Sequence, residues 1–395
     1  MSNSRIHRYI LREISAPTIL SLLIFTFVLL MGRIPRLTEL VINKGVPALE
    51  IVRLFSYLMP TFFSITIPLS FLLGILLAFG RFSADSEFIA LKASGVSLYN
   101  LVKPVFILAV LFTILTAWLT TSIIPASKTA FKSKLFQIAS SSINASIRPG
   151  VFNGDFEGIV LYVRGMDEQS GIMRDVFISD EREGEIPAII VAQKGRFISD
   201  PNQYTITLRL SDGSIHRRPP KGGRATYQTI NFNKYDINLN TGGRADKNKR
   251  HRSHSELSWS ELDQAIKKKQ NTKKVYSLLA EKHKRIVIAF APLVLVLVGV
   301  PLGLQSQRSG KGSGFSLALL VFLVYYVLLS LAGNIAENGI LPAAVILWLP
   351  NFCFLVGGSW FLHCTAIERP VQFFKSPYQV LRNWFSSRPK NGGSR

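Results

Sequence analysis

The chain has 395 residues, 48% of them hydrophobic and only 18% charged, yet Lys and Arg outnumber Asp and Glu by 46 to 24, for a net charge of +22. An oily, basic chain without the aromatic interleaving of nucleic-acid modules reads as an integral membrane protein and argues against a nucleic-acid partner. The two cysteines, Cys353 and Cys364, stand eleven helical positions apart, roughly 16 Å, which excludes a disulfide between them.

Six apolar runs reach the roughly 20 residues that a bilayer demands: about 15–31, 54–79, 102–124, 286–304, 315–336 and 341–363. Prolines inside them (Pro60, Pro68, Pro292, Pro301, Pro350) are tolerated in packed membrane helices. The first run follows Arg5, Arg8 and Arg12 and lacks a small-residue cleavage site before "MGRIPR", so it reads as an uncleaved helix. An even number of spans puts both termini on one side. Arg5, Arg8 and Arg12 at the start, Arg308 and Lys311 in the 305–314 loop, and the basic tail from Arg369 to Arg395 make that side cytoplasmic. The 80–101 connection then lies inside, and the loops 32–53, 126–285 and 337–341 face outward. Arg33, Arg36, Lys44 and Arg53 flank the first outer loop, where an anionic lipid phosphate is one expected partner and plain snorkelling is the other.

Between the second and third runs lies "GRFSADSEFIALKASG", Gly80 to Gly95. Ser83 is placed to cap a helix, Asp85 and Glu87 favour its N-terminal end, and Gly95 can stop it. The resulting helix, about 84–94, is too short to span. Phe88, Ile89, Leu91 and Ala93 do not share one narrow stripe, unlike an interfacial helix. Apolar groups on several sides suit a peg pushed into a cleft of another protein, with Glu87 free to meet a partner's arginine; the alternative is a plain connection.

From 158 to 239 the pattern changes to strands. "YTITLRL" sets Tyr204, Ile206, Leu208 and Leu210 on one face and Thr205, Thr207 and Arg209 on the other, a half-buried strand, and "SDGS" after it reads as a turn. "GIVLYVR", "MRDVFISD", "AIIVAQKGRFIS" and "YQTINFNKYDINLN" are further strands. An all-β sandwich or open roll is expected. The polar stretch 241–254 reads as a basic linker. His251 and His254 there have no acidic or Cys cluster around them, so no metal is expected. "LSWSEL" then starts a helix over 259–268, with Ser258 and Glu261 forming a capping box and Leu257 and Leu262 a staple. Residues 241–285 carry 13 Lys and Arg against 5 acids, an outward excess that long translocated loops permit.

No catalytic motif is present: no HExxH, no GxSxG elbow, and "QRSGKGSG" does not satisfy the phosphate-loop spacing. No relay of buried acids or histidines crosses the spans. Uphill transport by such a chain would draw its energy from a partner.

The stretch "PLSFLLGILLAFGRFSADSEFIALKASGVS", Pro68 to Ser97, resembles the permease family of the lipopolysaccharide exporter (LptF/LptG), in which a Pro- and Gly-containing second helix leads into an inner "SE" helix ending in "SG". Ser86, Glu87, Ala93, Ser94 and Gly95 match. "LSWSEL" and "EKHKRIVIAFAPLVLVLVGVPLGL", with Glu281, His283 and Arg285, add support, and the inner loop "QSQRSGKGSG" leans toward the LptF branch. The resemblance implies six transmembrane helices with a β-jellyroll inserted between helices 3 and 4: helices 1–3 over 1–125, a coupling helix at 84–94, the β domain and linker over 126–255, a connecting helix over 256–285, helices 4–6 over 286–365 and a cytoplasmic tail over 366–395. It implies the Gram-negative inner membrane, a cytoplasmic ABC ATPase dimer that itself binds ATP and Mg, and a second paralogous permease. A single-span periplasmic jellyroll protein and a periplasmic bridge protein would receive the lipopolysaccharide. Arg81, Asp85, Ser86, Glu87, Phe88, Leu91, Lys92 and Gly95 would form the ATPase-coupling site; that Arg33, Arg36 and Lys44 contact lipid phosphates is an expectation from their charge and position, not from a motif match. The chain itself would hold no catalytic residue and no cofactor. The basic linker and the tail "VQFFKSPYQVLRNWFSSRPKNGGSR" depart from the family pattern. Two other readings remain open: a membrane sensor passing a signal from the β domain to an inner partner, and a lipid-modifying enzyme. The enzyme would need outward-facing acid and base groups clustered near a helix end, where only Glu39, Glu50 and Glu337 stand, unpaired with histidine.

Overall fold

A computed structural model describes residues 3–35, 47–156, 158–167, 170–182, 188–200, 205–217, 228–239, 253–268, 272–305 and 313–367. Its helices are α1 (Asn3–Met31), α2 (Ala48–Ala84), α3 (Glu87–Ala93) and α4 (Leu98–Trp118), the last continued by a π-turn at Leu119–Ile123 and by α5 (Ile124–Ser146). After the strands come α6 (Trp259–Lys268), α7 (Thr272–Gln305), α8 (Ser313–Glu337), α9 (Ala343–Ile346) and α10 (Leu349–Ala366). Among the described residues, six helices are long and apolar enough to cross a membrane. The chain divides into two compact units: Met1–Leu29, Pro60–Ile124 and Ser258–Arg395 form one, and Leu30–Met59 with Pro125–Leu257 form the other.

In the helical unit, α2 is the central element. Phe71 and Ile75 face one apolar cluster with Ile10, Ile14, Val105 and Val300, while Leu72 and Leu76 face a second with Val287, Leu295 and Tyr325. The close approach of α7 to α2 depends on two glycines in "GVPLG". A Cβ on Gly299 would lie 2.9 Å from Leu72 Cδ1, and one on Gly303 would lie 2.8 Å from Phe79 Cβ. Lipid tails are as apolar as leucine, so membrane helices associate by this kind of close backbone packing. One buried polar group links three helices: the Tyr325 hydroxyl donates to Asn351 Oδ1 at 2.8 Å, and Asn351 Nδ2 donates to the Val287 carbonyl at 3.1 Å. At the π-turn, where one residue is inserted into the helical ladder, Thr120 donates to the Arg285 carbonyl at 3.1 Å. Arg285 is 4% exposed and donates to Glu281 at 3.2 Å. The capping box expected at 258 is present: Ser258 N–H donates to Glu261 Oε2 at 2.8 Å and Glu261 N–H to Ser258 Oγ at 3.3 Å. The helix it starts, Trp259–Lys268, has the expected bounds.

The second unit holds one six-stranded antiparallel sheet in meander order: β1 (Phe152–Phe156), β2 (Ile159–Met166), β3 (Met173–Asp180), β4 (Ala188–Asp200), β5 (Thr205–Arg217) and β6 (Gln228–Asn238). In β5, Ile206, Leu208 and Leu210 are buried and Arg209 is exposed, following the alternation; Tyr204 lies outside the described residues. Adjacent strands sit about 4.8 Å apart, so strands three places apart in a flat sheet could not touch. Yet the Phe156 ring of β1 meets Phe197 of β4 at 6.2 Å, and Arg182, just beyond β3, donates to the carbonyl of Asn238 at the end of β6 at 2.7 Å. The sheet therefore curls as an open roll around Leu161, Val163, Val176, Ile178, Leu208 and Leu210.

One sequence expectation fails here. "SDGS" at 211–214 is not a turn, because β5 continues through it to Arg217. Asp212 takes a left-handed conformation, φ 57°, while the pairing on both sides keeps its register, Lys194 with Ser211 and Ala192 with Gly213, then Ser211 with Lys234 and Gly213 with Phe232. The strand bends without leaving the ladder. A Cβ at Gly213 would lie 2.3 Å from the Val191 carbonyl, so the glycine permits a close approach at this bend. Asp175 in β3, φ 52°, makes a similar bend two strands away.

The start of α2 and α5 belong to the same unit. Ile51 and Leu54 pack on Ile138, and Lys134 pairs with Glu50 at 2.8 Å. Lys132 pairs with the buried Glu256.

Candidate coupling site

The connection between α2 and α4 is built from two left-handed residues with one short helix between them. α2 does not end at Gly80 but runs to Ala84, so Ser83 is not a cap: it is 6% exposed and its hydroxyl donates to the carbonyl of Leu304 at 2.6 Å. Asp85 N–H bonds Arg81 O and Ser86 N–H bonds Ser83 O, closing the last turn. Ser86 then takes φ 56°, ψ 13°, with no side-chain cap bond. A left-handed conformation costs a residue with a Cβ roughly 1–2 kcal/mol. α3 follows over seven residues, shorter than the 84–94 read from the sequence.

Gly95 ends α3 as expected. Its φ is 84°; its N–H donates to Lys92 O at 2.9 Å, and Val96 N–H reaches back to Leu91 O at 3.1 Å. These are the two bonds of a Schellman motif, and Leu91 and Val96 pack on the same cluster. Ser97 then caps α4 by accepting from Asn100 N–H at 3.4 Å.

The two faces of α3 differ. Phe88 and Leu91 turn inward onto the cluster of Ile10, Phe79, Phe82 and Leu101. Ser86, Ile89, Ala90, Ala93 and Ser94 are exposed, Ile89 at 62%. Lys92 is half-buried with its Nζ 5.9 Å from the centre of the Phe88 ring. Arg81, Asp85 and Gly95 are exposed, and Glu87 is half-buried.

Glu87 is held from within the chain. The Tyr9 hydroxyl donates to its carboxylate, 2.9 Å from Oε2 and 3.2 Å from Oε1, and accepts from Arg81 Nη2 at 3.1 Å. Arg81 Nη1 pairs with Glu13 at 2.6 Å, and its Nε lies 3.6 Å from Asp85. The Tyr9 ring rests 5.5 Å from that of Phe82. Sequence reasoning missed Tyr9 and Glu13. The signal was there: Glu13 is the first acid of the chain, just after Arg5, Arg8 and Arg12, and Tyr9 sits one helical turn before it.

Of the three outer basic residues, Arg33 is among the described residues. Arg33 is exposed at the end of α1, whereas Arg36 and Lys44 lie outside the described residues. So do the 241–252 part of the linker, the 306–312 loop and the tail from 368. Among the described residues no group of three or more His, Cys, Asp or Glu is placed to hold a metal.

Comparison with known proteins agrees with this architecture. The family described as "Lipopolysaccharide export system permease LptF/LptG" matches residues 8–363. The permease LptF of Escherichia coli K12 is 24% identical over 360 residues, 88% of this chain and 92% of its own length. Its counterpart in Shigella flexneri aligns with the same figures. An uncharacterized protein of Rickettsia prowazekii is 22% identical over 287 residues, 72% of this chain and 78% of its own length.

Proposed function

The chain belongs to the lipopolysaccharide export system permease family LptF/LptG, and on that premise we propose that it is the membrane subunit of an ABC exporter, converting ATP hydrolysis by a partner into extraction of lipopolysaccharide from the inner membrane. The observation that carries this reading is α3: a two-turn helix seated on the helical core by Phe88 and Leu91, with Ile89 exposed and a carboxylate at its start. A partner's apolar groove would receive Ile89 and Ala90, and an arginine of that partner would meet Glu87.

The ATPase, a dimer, binds ATP and Mg and sits on the cytoplasmic side together with both termini of this chain, in keeping with the basic tails. A second, paralogous permease completes the membrane channel. The β roll lies in the periplasm and hands lipid to jellyroll proteins that bridge to the outer membrane. Arg33, with Arg36 and Lys44, would hold the phosphates of the lipid at the outer surface.

The test is affinity purification of the tagged chain from native membranes in mild detergent, for wild type beside Glu87→Arg. An ATPase and a second six-helix permease should accompany wild type, and the charge reversal should reduce ATPase recovery at least about tenfold, equivalent to about 1.4 kcal/mol. Equal recovery would remove Glu87 from the docking surface. Absence of any ATPase from the wild-type sample would turn α3 into a mere connection and favour the sensor reading.

A further inference from the structure

Docking at α3 is useful to an exporter only if the movement leaves α3 and reaches a membrane helix. Three features of the helical unit show one route. First, the Tyr9 hydroxyl is committed on both sides, accepting from Arg81 and donating its one proton to Glu87. Second, Arg81 is itself anchored to α1 through Glu13 at 2.6 Å, so α1 grips the end of α2 and the start of α3 by two adjacent turns of one face. Third, the space between α1 and the inner face of α3 is nearly filled: the void beside Tyr9, Phe88 and Leu91 is about 10 Å³. A close-packed contact of this kind passes displacement on instead of absorbing it.

Resting on the coupling role proposed above, we infer that Tyr9 is the positioning residue that ties α1 to the docked helix, so that a partner's pull on Glu87 moves α1. Tyr9 acts through Glu87 and touches neither nucleotide nor lipid. When a partner's cation draws the Glu87 carboxylate outward, the hydroxyl follows it or loses its acceptor. Arg81 meanwhile keeps Glu13 and Asp85, so the end of α2 stays tied to α1 and the two respond together. Phenylalanine at position 9 keeps the ring against Phe82 and removes only the hydrogen-bonded link.

The experiment uses the full complex in proteoliposomes containing lipopolysaccharide, measuring lipid released per ATP hydrolysed together with ATPase recovery, for wild type, Tyr9→Phe, Glu87→Gln and the double variant. Tyr9→Phe is expected to retain the ATPase and lower lipid per ATP at least about threefold. The double variant should fall no further than Glu87→Gln alone, because the two groups act as one unit and such pairs are not additive. An unchanged ratio in Tyr9→Phe, or losses that multiply in the double variant, would overturn the assignment. Loss of the ATPase from Tyr9→Phe would also overturn it, by placing the hydroxyl in the docking surface. If wild type itself recruits no ATPase, the coupling reading falls and takes this inference with it; if wild type couples and Tyr9→Phe does too, only the inference fails.

Discussion

The Ser83 hydroxyl donates to the carbonyl of Leu304 at 2.6 Å, across 221 residues of sequence. It joins the last turn of α2 to the last turn of α7, where helix carbonyls have no partner of their own. Both ends precede connections, so the bond fixes the platform from which α3 projects.

Ser83→Ala removes that donor and leaves the Leu304 carbonyl without it. A lost hydrogen bond with a buried partner costs about 1–2 kcal/mol, so the thermal midpoint of the purified protein should fall by a few degrees. Ser83→Thr, which keeps a hydroxyl, should lose less. Equal midpoints for wild type and Ser83→Ala would mean the carbonyl is satisfied otherwise.

Ser83 also shows how far the sequence could be read. A serine followed by acids has the signature of a helix start, and the same serine can be buried in the last turn of a helix. Only the distant Leu304 decides between them. The spans were legible because about 20 apolar residues have few other uses, and the Ser258–Glu261 box because both partners lie within four residues. The β domain was legible from period-two burial, as at Ile206, Leu208 and Leu210. The bend at Asp212 was not, since "SDGS" suits a turn equally well; β4 and β6, paired on either side, keep the strand in the ladder. In the candidate coupling site, Glu87 and Gly95 follow from a local motif, whereas Tyr9 and Glu13 come from a helix some 70 residues away and become visible only in the fold.

Asn351 donates to the Val287 carbonyl and accepts from Tyr325, linking α7, α8 and α10. Asn351→Leu should destabilise the helical unit by about 1–2 kcal/mol, the upper range for polar contacts between membrane helices. Tyr325→Phe should cost about 0.6 kcal/mol in the wild-type background and close to nothing in Asn351→Leu, where its acceptor is already gone. Additive losses measured by thermal unfolding in detergent would show that the three groups do not act together.

Acid should weaken the β roll through Asp180. Partial burial raises the carboxyl's pKa, but the Arg182 guanidinium and backbone N–H outweigh it and hold the group below its ordinary value; the bonds are 2.7 Å to Oδ2 and 2.9 and 3.0 Å to Oδ1. A depressed folded pKa gives stability that is complete above the unfolded value, near pH 4, and lost as pH falls through the folded one. Arg182→Gln should therefore lower the thermal midpoint at pH 6, and the gap from wild type should narrow toward pH 3. The Arg182–Asn238 bond does not titrate and contributes a part of the gap that persists at every pH. A gap independent of pH would assign the whole effect to that bond.

Gly74 sets how closely α1 lies on α2, and thus whether Tyr9 can reach Glu87. A Cβ there would stand 2.0 Å from Thr18 Oγ1 and 3.0 Å from the Ile14 carbonyl. Thr18 is stiff, being β-branched, and its hydroxyl already donates to the Ile14 carbonyl at 2.7 Å, so it cannot turn aside without giving up that bond. Gly74→Ala should therefore cost about 1–3 kcal/mol as an overpacked contact, read as a thermal midpoint several degrees lower. Adding Thr18→Ala removes the atom at 2.0 Å and leaves the Ile14 carbonyl at 3.0 Å and the Cβ of residue 18 at 3.2 Å, tight but tolerable, so the double variant should recover more than half of the loss. A double variant as unstable as Gly74→Ala alone would show that the α1 backbone, not the Thr18 hydroxyl, limits the approach of the two helices.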